Sequence, residues 1–288
     1  MKKIILCILL SLNITGAKAD TIAVDGINRS YILDQTSKAI GPAPLIVALH
    51  GSGGSAAQFR RFSNLGNVGN TYGINVVFAD GVNHQWNDGR ANIGMDANDI
   101  GFLTALVNQL VTKGLADPNH VIFTGMSNGG IMSYTMACRS SLRIYAIAPV
   151  SANIGEGMTC TNTQARLLNI VGTEDKLVPM AGGNVAGVLQ RGTVQSSQAS
   201  FQAFLNANGC SSKSSVPMPD LAVDNMLSVA NFGTGCARNP VAQIVVTGGG
   251  HAWAGSPAPL ALLTGKPTMD FSATQLVVRL AKGEKLTP

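Results

Sequence analysis

The stretch His120-Val121-Ile122-Phe123-Thr124-Gly125-Met126-Ser127-Asn128-Gly129-Gly130, continued by Ile131 to Cys138, decides the fold. A β-branched and aromatic run, a Gly-x-Ser-x-Gly turn and an apolar-periodic segment predict strand, sharp turn and helix in succession. A serine held at such a turn sits in a strained backbone conformation, and the residues two places to either side must lack side chains so that strand and helix can approach. Gly125 and Gly129 meet that demand. The turn also puts Ser127 at a helix N-terminus, where unpaired N–H groups favour negative charge developing on a bound substrate. Ser127 is therefore the candidate nucleophile. With 33 Gly in 288 residues a pattern this short is easily met by chance, so the rest of the chain must supply its partners.

Working outward, Thr21 to Val24 and Arg29 to Leu33 alternate apolar and polar around Asp25-Gly26, which predicts an antiparallel opening hairpin. Leu45 to Leu49 is a continuous apolar run, as in a strand buried on both faces. Ile74 to Phe78, Tyr145 to Val150, Leu167 to Val171, Met226 to Ala230 and Val241 to Val246 read as further strands. Helices are expected over Ala57 to Ser63, from Asn98 or Asp99 to Gly114, over Ser197 to Asn206 and over Ala273 to Ala281, whereas Cys210 to Asp220 reads as loop. Strands and helices in alternation predict a mostly parallel sheet with helices on both faces.

Three post-strand loops carry candidate chemistry. His50-Gly51-Ser52-Gly53-Gly54-Ser55-Ala56 follows the first buried strand and has two readings. Gly51-x-Gly53-x-x-Ala56 fits a dinucleotide fingerprint, with Asp80 after the next strand as its ribose-binding carboxylate. The favoured reading is an oxyanion loop in which the Ser52 N–H joins that of Asn128, because a nucleotide site explains neither Ser127 nor export. Gly172-Thr173-Glu174-Asp175 follows a strand beyond Ser127, where the order serine, acid, histidine places the acid; Asp175 is the candidate and Glu174 its rival. Of the four His, only His251, in Gly249-Gly250-His251, follows both Ser127 and Asp175. It is the candidate general base.

The loop from Gly81 to Gly94 contains His84, Gln85, Trp86, Asn87, Asp88, Gly89 and Arg90, an aromatic among hydrogen-bonding groups that suits a substrate wall. Trp86, Asn87 and Trp253 are candidate substrate contacts, although core packing explains the tryptophans equally well.

Met1 to Ala19 has a basic start, an apolar centre and Ala17-Lys18-Ala19 before Asp20, the pattern of a cleaved secretory leader. The expected organisation is a leader over 1–19 and one catalytic domain over 20–288. Lys2, Lys3 and Lys18 would leave with the leader, so the apparent excess of 20 basic over 15 acidic residues largely disappears, and no basic cluster suggests nucleic acid. The apolar run is too short for a membrane anchor. Secretion or periplasmic export is expected. Cys138, Cys160, Cys210 and Cys236 suggest two disulfides; three pairings are possible, and the shortest loops favour Cys138 with Cys160 and Cys210 with Cys236. No cysteine or histidine spacing marks a metal site.

His50-Gly51-Ser52, Trp86-Asn87-Asp88-Gly89-Arg90, Gly125-x-Ser127-x-Gly129-Gly130, Gly172-Thr173-x-Asp175 with Val178-Pro179, and Gly249-Gly250-His251-x-Trp253 together resemble the secreted polyhydroxybutyrate depolymerases and feruloyl and acetyl-xylan esterases of the α/β-hydrolases. The resemblance covers nearly all of the chain after the leader. It implies the α/β-hydrolase fold, a Ser127, Asp175, His251 triad with Ser52 and Asn128 as oxyanion donors, no cofactor, a small or oligomeric ester as substrate, and the Cys210–Cys236 pairing. Trp253-Ala254-Gly255 departs from the family's Trp-Pro-Gly. The linker and separate binding domain common in depolymerases of solid polymer are not seen, which favours soluble oligomers or small esters. A dinucleotide-dependent oxidoreductase and a catalytically idle binding module on the same fold are the alternatives.

Overall fold

Leu45-Ile46-Val47-Ala48-Leu49 is buried at every position, and its side chains alternate between two apolar layers. Leu45, Val47 and Leu49 join one, Ile46 and Ala48 the other, as the two-residue period of a strand covered on both faces requires. The rest of the molecule is built around this strand. The computed structural model describes residues 19–91, 93, 96–186, 191–257 and 264–285; the expected leader lies outside the described residues except for Ala19.

In chain order the elements are β1 (Asp20–Val24), β2 (Ile27–Asp34), β3 (Ala43–Leu49), α1 (Ala56–Ser63), α2 (Leu65–Thr71), β4 (Asn75–Ala79), α3 (Asp99–Thr112), β5 (Ala116–Met126), α4 (Asn128–Arg139), β6 (Ala146–Val150) and β7 (Arg166–Gly172). They continue with the short pair β8 (Gly183–Asn184) and β9 (Thr193–Val194), then α5 (Ser197–Ala207), β10 (Ser212–Pro217), β11 (Leu227–Thr234), β12 (Val241–Thr247) and α6 (Ala273–Ala281). Among the described residues the main sheet has ten strands in the order β1-β2-β4-β3-β5-β6-β7-β12-β11-β10. Pairings from β4 through β12 are parallel. Helices α3, α4 and α5 contribute to one apolar layer, and α1, α2 and α6 to the other.

The expected parallel sheet and opening hairpin are present, the hairpin turning at Asp25 and Gly26 with positive φ at both. Three readings are corrected. Within Cys210 to Asp220, expected as loop, Ser212–Pro217 forms the edge strand β10, so the far edge of the sheet is antiparallel as well. Every residue of β10 is exposed, which removes the alternation that would have marked it. Helix α2 was not expected from Leu-Gly-Asn-Val-Gly-Asn-Thr, because glycine is a poor helix former. Its glycines serve contact instead: a methyl group at Gly66 would collide with the Asp34 carboxylate, and one at Gly69 would lie 2.7 Å from Val76. The strand before Ser127 begins at Ala116 rather than His120.

From β3 the chain crosses to β4 on one side, and from α3 it returns to β5 on the other. The loops that leave β3 and β5 therefore diverge into opposite helical layers. This opens a crevice at the carboxyl ends of the strands, where open α/β sheets bind ligands.

Both disulfides join the partners expected from loop length, Cys138 with Cys160 and Cys210 with Cys236. They fit an oxidising compartment and so are consistent with export. Among the described residues no helix is long and apolar enough to cross a membrane.

Candidate active site

Ser127 follows β5 and caps α4 with φ 57° and ψ −125°, a conformation that costs energy for any residue with a side chain and persists only where its surroundings enforce it. The enforcement is steric. A methyl group at Gly129 would lie 2.3 Å from the Leu49 carbonyl oxygen and 2.5 Å from that of His50, and one at Gly125 would lie 2.6 Å from the Gly129 carbonyl carbon. Helix α4 can thus press against the end of β3 only with glycine at both places. Ser127 N–H donates to Val150 O at 3.0 Å, and the side chain is left partly exposed.

Asp175 and His251 come from the loops after β7 and β12, which are neighbouring parallel strands. Main-chain bonds join the loops: Thr173 N–H donates to Val246 O and Glu174 N–H to Gly249 O. Gly172 packs so closely on Gly249 that a methyl group would approach its carbonyl oxygen to 2.2 Å. On this frame His251 Nδ1 lies 2.8 Å from Asp175 Oδ2, with both side chains buried. The other carboxylate oxygen accepts the N–H groups of Leu177 and Val178 at 2.9 and 2.8 Å. With Asp175 held as acceptor, His251 carries its proton on Nδ1 and presents Nε2 as a base. Glu174 makes no such contact.

His251 and Ser127 line a single cavity of about 390 Å³, in the size range of small-ligand sites. Ser52, Asn128 and Trp86 line it too, with Leu177 and Val185 adding apolar surface. Among the described residues the backbone N–H groups of Ser52 and Asn128 donate to no protein acceptor and so remain available.

The loop bearing Ser52 is fixed by side chains. His50 Nδ1 lies 2.8 Å from Gly51 O, and Nε2 accepts Gly81 N–H at 3.0 Å, which defines a neutral ring protonated on Nδ1. Burial lowers the His50 pKa, which keeps that form. The Asn128 amide ties the neighbouring wall, accepting Trp86 N–H and donating to Trp86 O and to Asp88 Oδ2 at 2.7 Å. Asp88, fully buried, forms a two-pronged ion pair with Arg90.

Several candidates lie away from the cavity. Trp253, two residues after His251, is buried in the opposite layer, edge-on to Phe59 at 5.3 Å, with its indole N–H donating to Thr274. Asn87 is spent on holding the loop, its N–H to Asp99 and its side chain to Ala97 O, and does not line the cavity. Trp86 does line it, yet is also core, stacked on Phe102 with its indole N–H on His50 O. Asp80, which a ribose site would need, accepts the N–H of Ala56 at the start of α1 and the Ser30 hydroxyl. The side-chain role of Asn128 and the presence of Arg191 in the wall were not read from sequence; an amide-bearing residue beside the nucleophile was the available signal for the first.

No known family profile matches the chain. NocK of Nocardia uniformis subsp. tsuyamanensis, which bears the name of an esterase, is 27% identical over 84% of this chain and 75% of its own length. Feruloyl esterase B of Piromyces equi is 28% identical over 73% of this chain, which spans only 40% of that relative. Among solved structures, acetyl xylan esterase from Aspergillus awamori superposes with a TM-score of 0.55 at 14% identity, covering 81% of this chain and 94% of that one. That likeness is one of fold.

Proposed function

We propose that this chain, a carboxylic ester hydrolase on an α/β-hydrolase fold, is a serine esterase working through an acyl-enzyme on Ser127. The observation that carries this reading is His251, bound through Nδ1 to a fixed Asp175 carboxylate and sharing a cavity with the strained Ser127. Ser127 Oγ attacks the ester carbonyl while its proton passes to His251 Nε2, and Asp175 stabilises the imidazolium. The Ser52 and Asn128 amides hold the oxyanion. As the carbon–oxygen bond to the alcohol breaks, His251 returns the proton to the leaving oxygen. Water, deprotonated by the same imidazole, then releases the acid.

Feruloyl or acetyl esters and hydroxyalkanoate oligomers are the proposed substrates, the first supported by relatives named feruloyl esterases. Export to the periplasm or the medium is supported by the leader pattern and the two disulfides. The test is a matched panel of p-nitrophenyl acetate and butyrate, methyl ferulate and a 3-hydroxybutyrate oligomer, given to wild type and Ser127→Ala. Turnover lost in the variant supports the reading, and the best substrate selects the branch. Turnover surviving Ser127→Ala refutes it.

A further inference from the structure

Arg191 also lines the cavity, and among the described residues its guanidinium has neither an ion-pair nor a hydrogen-bond partner. Its backbone, by contrast, is firmly held. The Arg191 carbonyl accepts Arg90 Nη1 at 2.6 Å, and its N–H donates to Val185 O at 3.1 Å. Arg90 is fixed by Asp88, which is bound in turn by Asn128 beside the nucleophile. A chain of polar contacts, buried from Asn128 to Arg90 and part-buried at Arg191, thus sets where Arg191 leaves the wall, relative to Ser127.

The charges around it do not cancel. Arg90 is neutralised by Asp88, and no acidic side chain lines the cavity among the described residues. Much of the remaining lining, including Ile93, Leu177, Val185 and Ala186, is apolar. A guanidinium beside apolar surface presents a planar fork matched to a carboxylate.

We propose that Arg191 makes this site select esters that carry a second, ionised carboxylate, such as half-esters of dicarboxylic acids or acylated hydroxy acids with a free acid end. This rests on the serine-esterase reading and names the substrate class of that site. Arg191 is a specificity residue: the carboxylate binds its guanidinium while the ester carbonyl sits at Ser127.

Two matched pairs separate charge from size. p-Nitrophenyl hemiglutarate against p-nitrophenyl valerate puts the carboxylate in the acyl half, and 3-acetoxybutyrate against 3-acetoxybutyramide puts it in the alcohol half. In at least one pair kcat/KM for the acid exceeds that for the neutral ester about five- to tenfold at low salt, the range of a partly exposed charge-assisted contact. The ratio drops to about one in Arg191→Gln, recovers in part in Arg191→Lys and shrinks as salt rises. Glutarate alone raises the Tm of wild type more than that of Arg191→Gln. Equal rates within both pairs, or a preference that survives Arg191→Gln, overturn the proposal. If no ester turns over while glutarate binding still depends on Arg191, the esterase mechanism fails and the carboxylate site stands; loss of both refutes both.

Discussion

The two walls of the cavity are held by different means. On one side, Asp175 and His251 are positioned by main chain: two amides on one carboxylate oxygen, and loops joined backbone to backbone across glycines. On the other, Ser52, Trp86 and Asn128 are positioned by buried side chains: the His50 ring, the Asn128 amide and the Asp88–Arg90 pair. A wall fixed by backbone can lose its chemistry and keep its shape. A wall fixed by side chains loses both together.

The largest expected effect tests the first half of that contrast. Asp175→Asn retains an oxygen for the Leu177 and Val178 amides but removes the acceptor that defines the His251 tautomer, so kcat falls about 10³- to 10⁴-fold. Its Tm stays close to wild type; a large loss of Tm would break the comparison. On the opposite wall, Arg90→Ala leaves Asp88 buried without its partner and costs about 3–5 kcal/mol, roughly 10 °C in Tm. A thermal melt within about 1 kcal/mol of wild type would mean that this pair does not hold the wall. Asn128→Ala leaves the buried Trp86 N–H without its acceptor and takes from Asp88 Oδ2 one of its donors, Arg90 remaining, for a loss of about 1–3 kcal/mol accompanied by lower kcat.

The smallest effect is that of acid. Burial lowers the pKa of both His50 and His120, so the unfolded chain binds more protons than the folded one once pH falls below the ordinary histidine value of about 6.5. Their contribution to stability is complete above that pH and is lost as pH drops toward the folded-state values. Melts from pH 8 to 5 should show Tm declining on the acid side, with a shallower decline in His50→Asn. An unchanged slope in that variant would take His50 out of the account.

The same division explains what could be read from sequence. Backbone-fixed features leave glycine and order signatures: Gly125-x-Ser127-x-Gly129 announces the turn, and the succession Ser127, Asp175, His251 is visible along the chain. Side-chain networks leave little trace. Nothing in Trp86-Asn87-Asp88-Gly89-Arg90 says that Asn87 turns to Asp99 while Asp88 reaches Asn128, forty residues on. Trp253 misled because nearness to His251 in sequence is not nearness to the cavity; the chain places it in the layer of α6. In the sheet, the buried strands were legible from apolar runs, while β10, exposed and carrying Pro217, gave no such pattern.

The account turns on Ser127 as the attacking atom. Rapid mixing of the protein with excess p-nitrophenyl acetate, followed by acid quench and peptide mass analysis, reads it directly. The account predicts a burst of p-nitrophenol near one equivalent, with the acetyl group on the peptide containing Ser127 and neither burst nor label in Ser127→Ala. An acetyl group on another residue, or a burst that persists in Ser127→Ala, would contradict it.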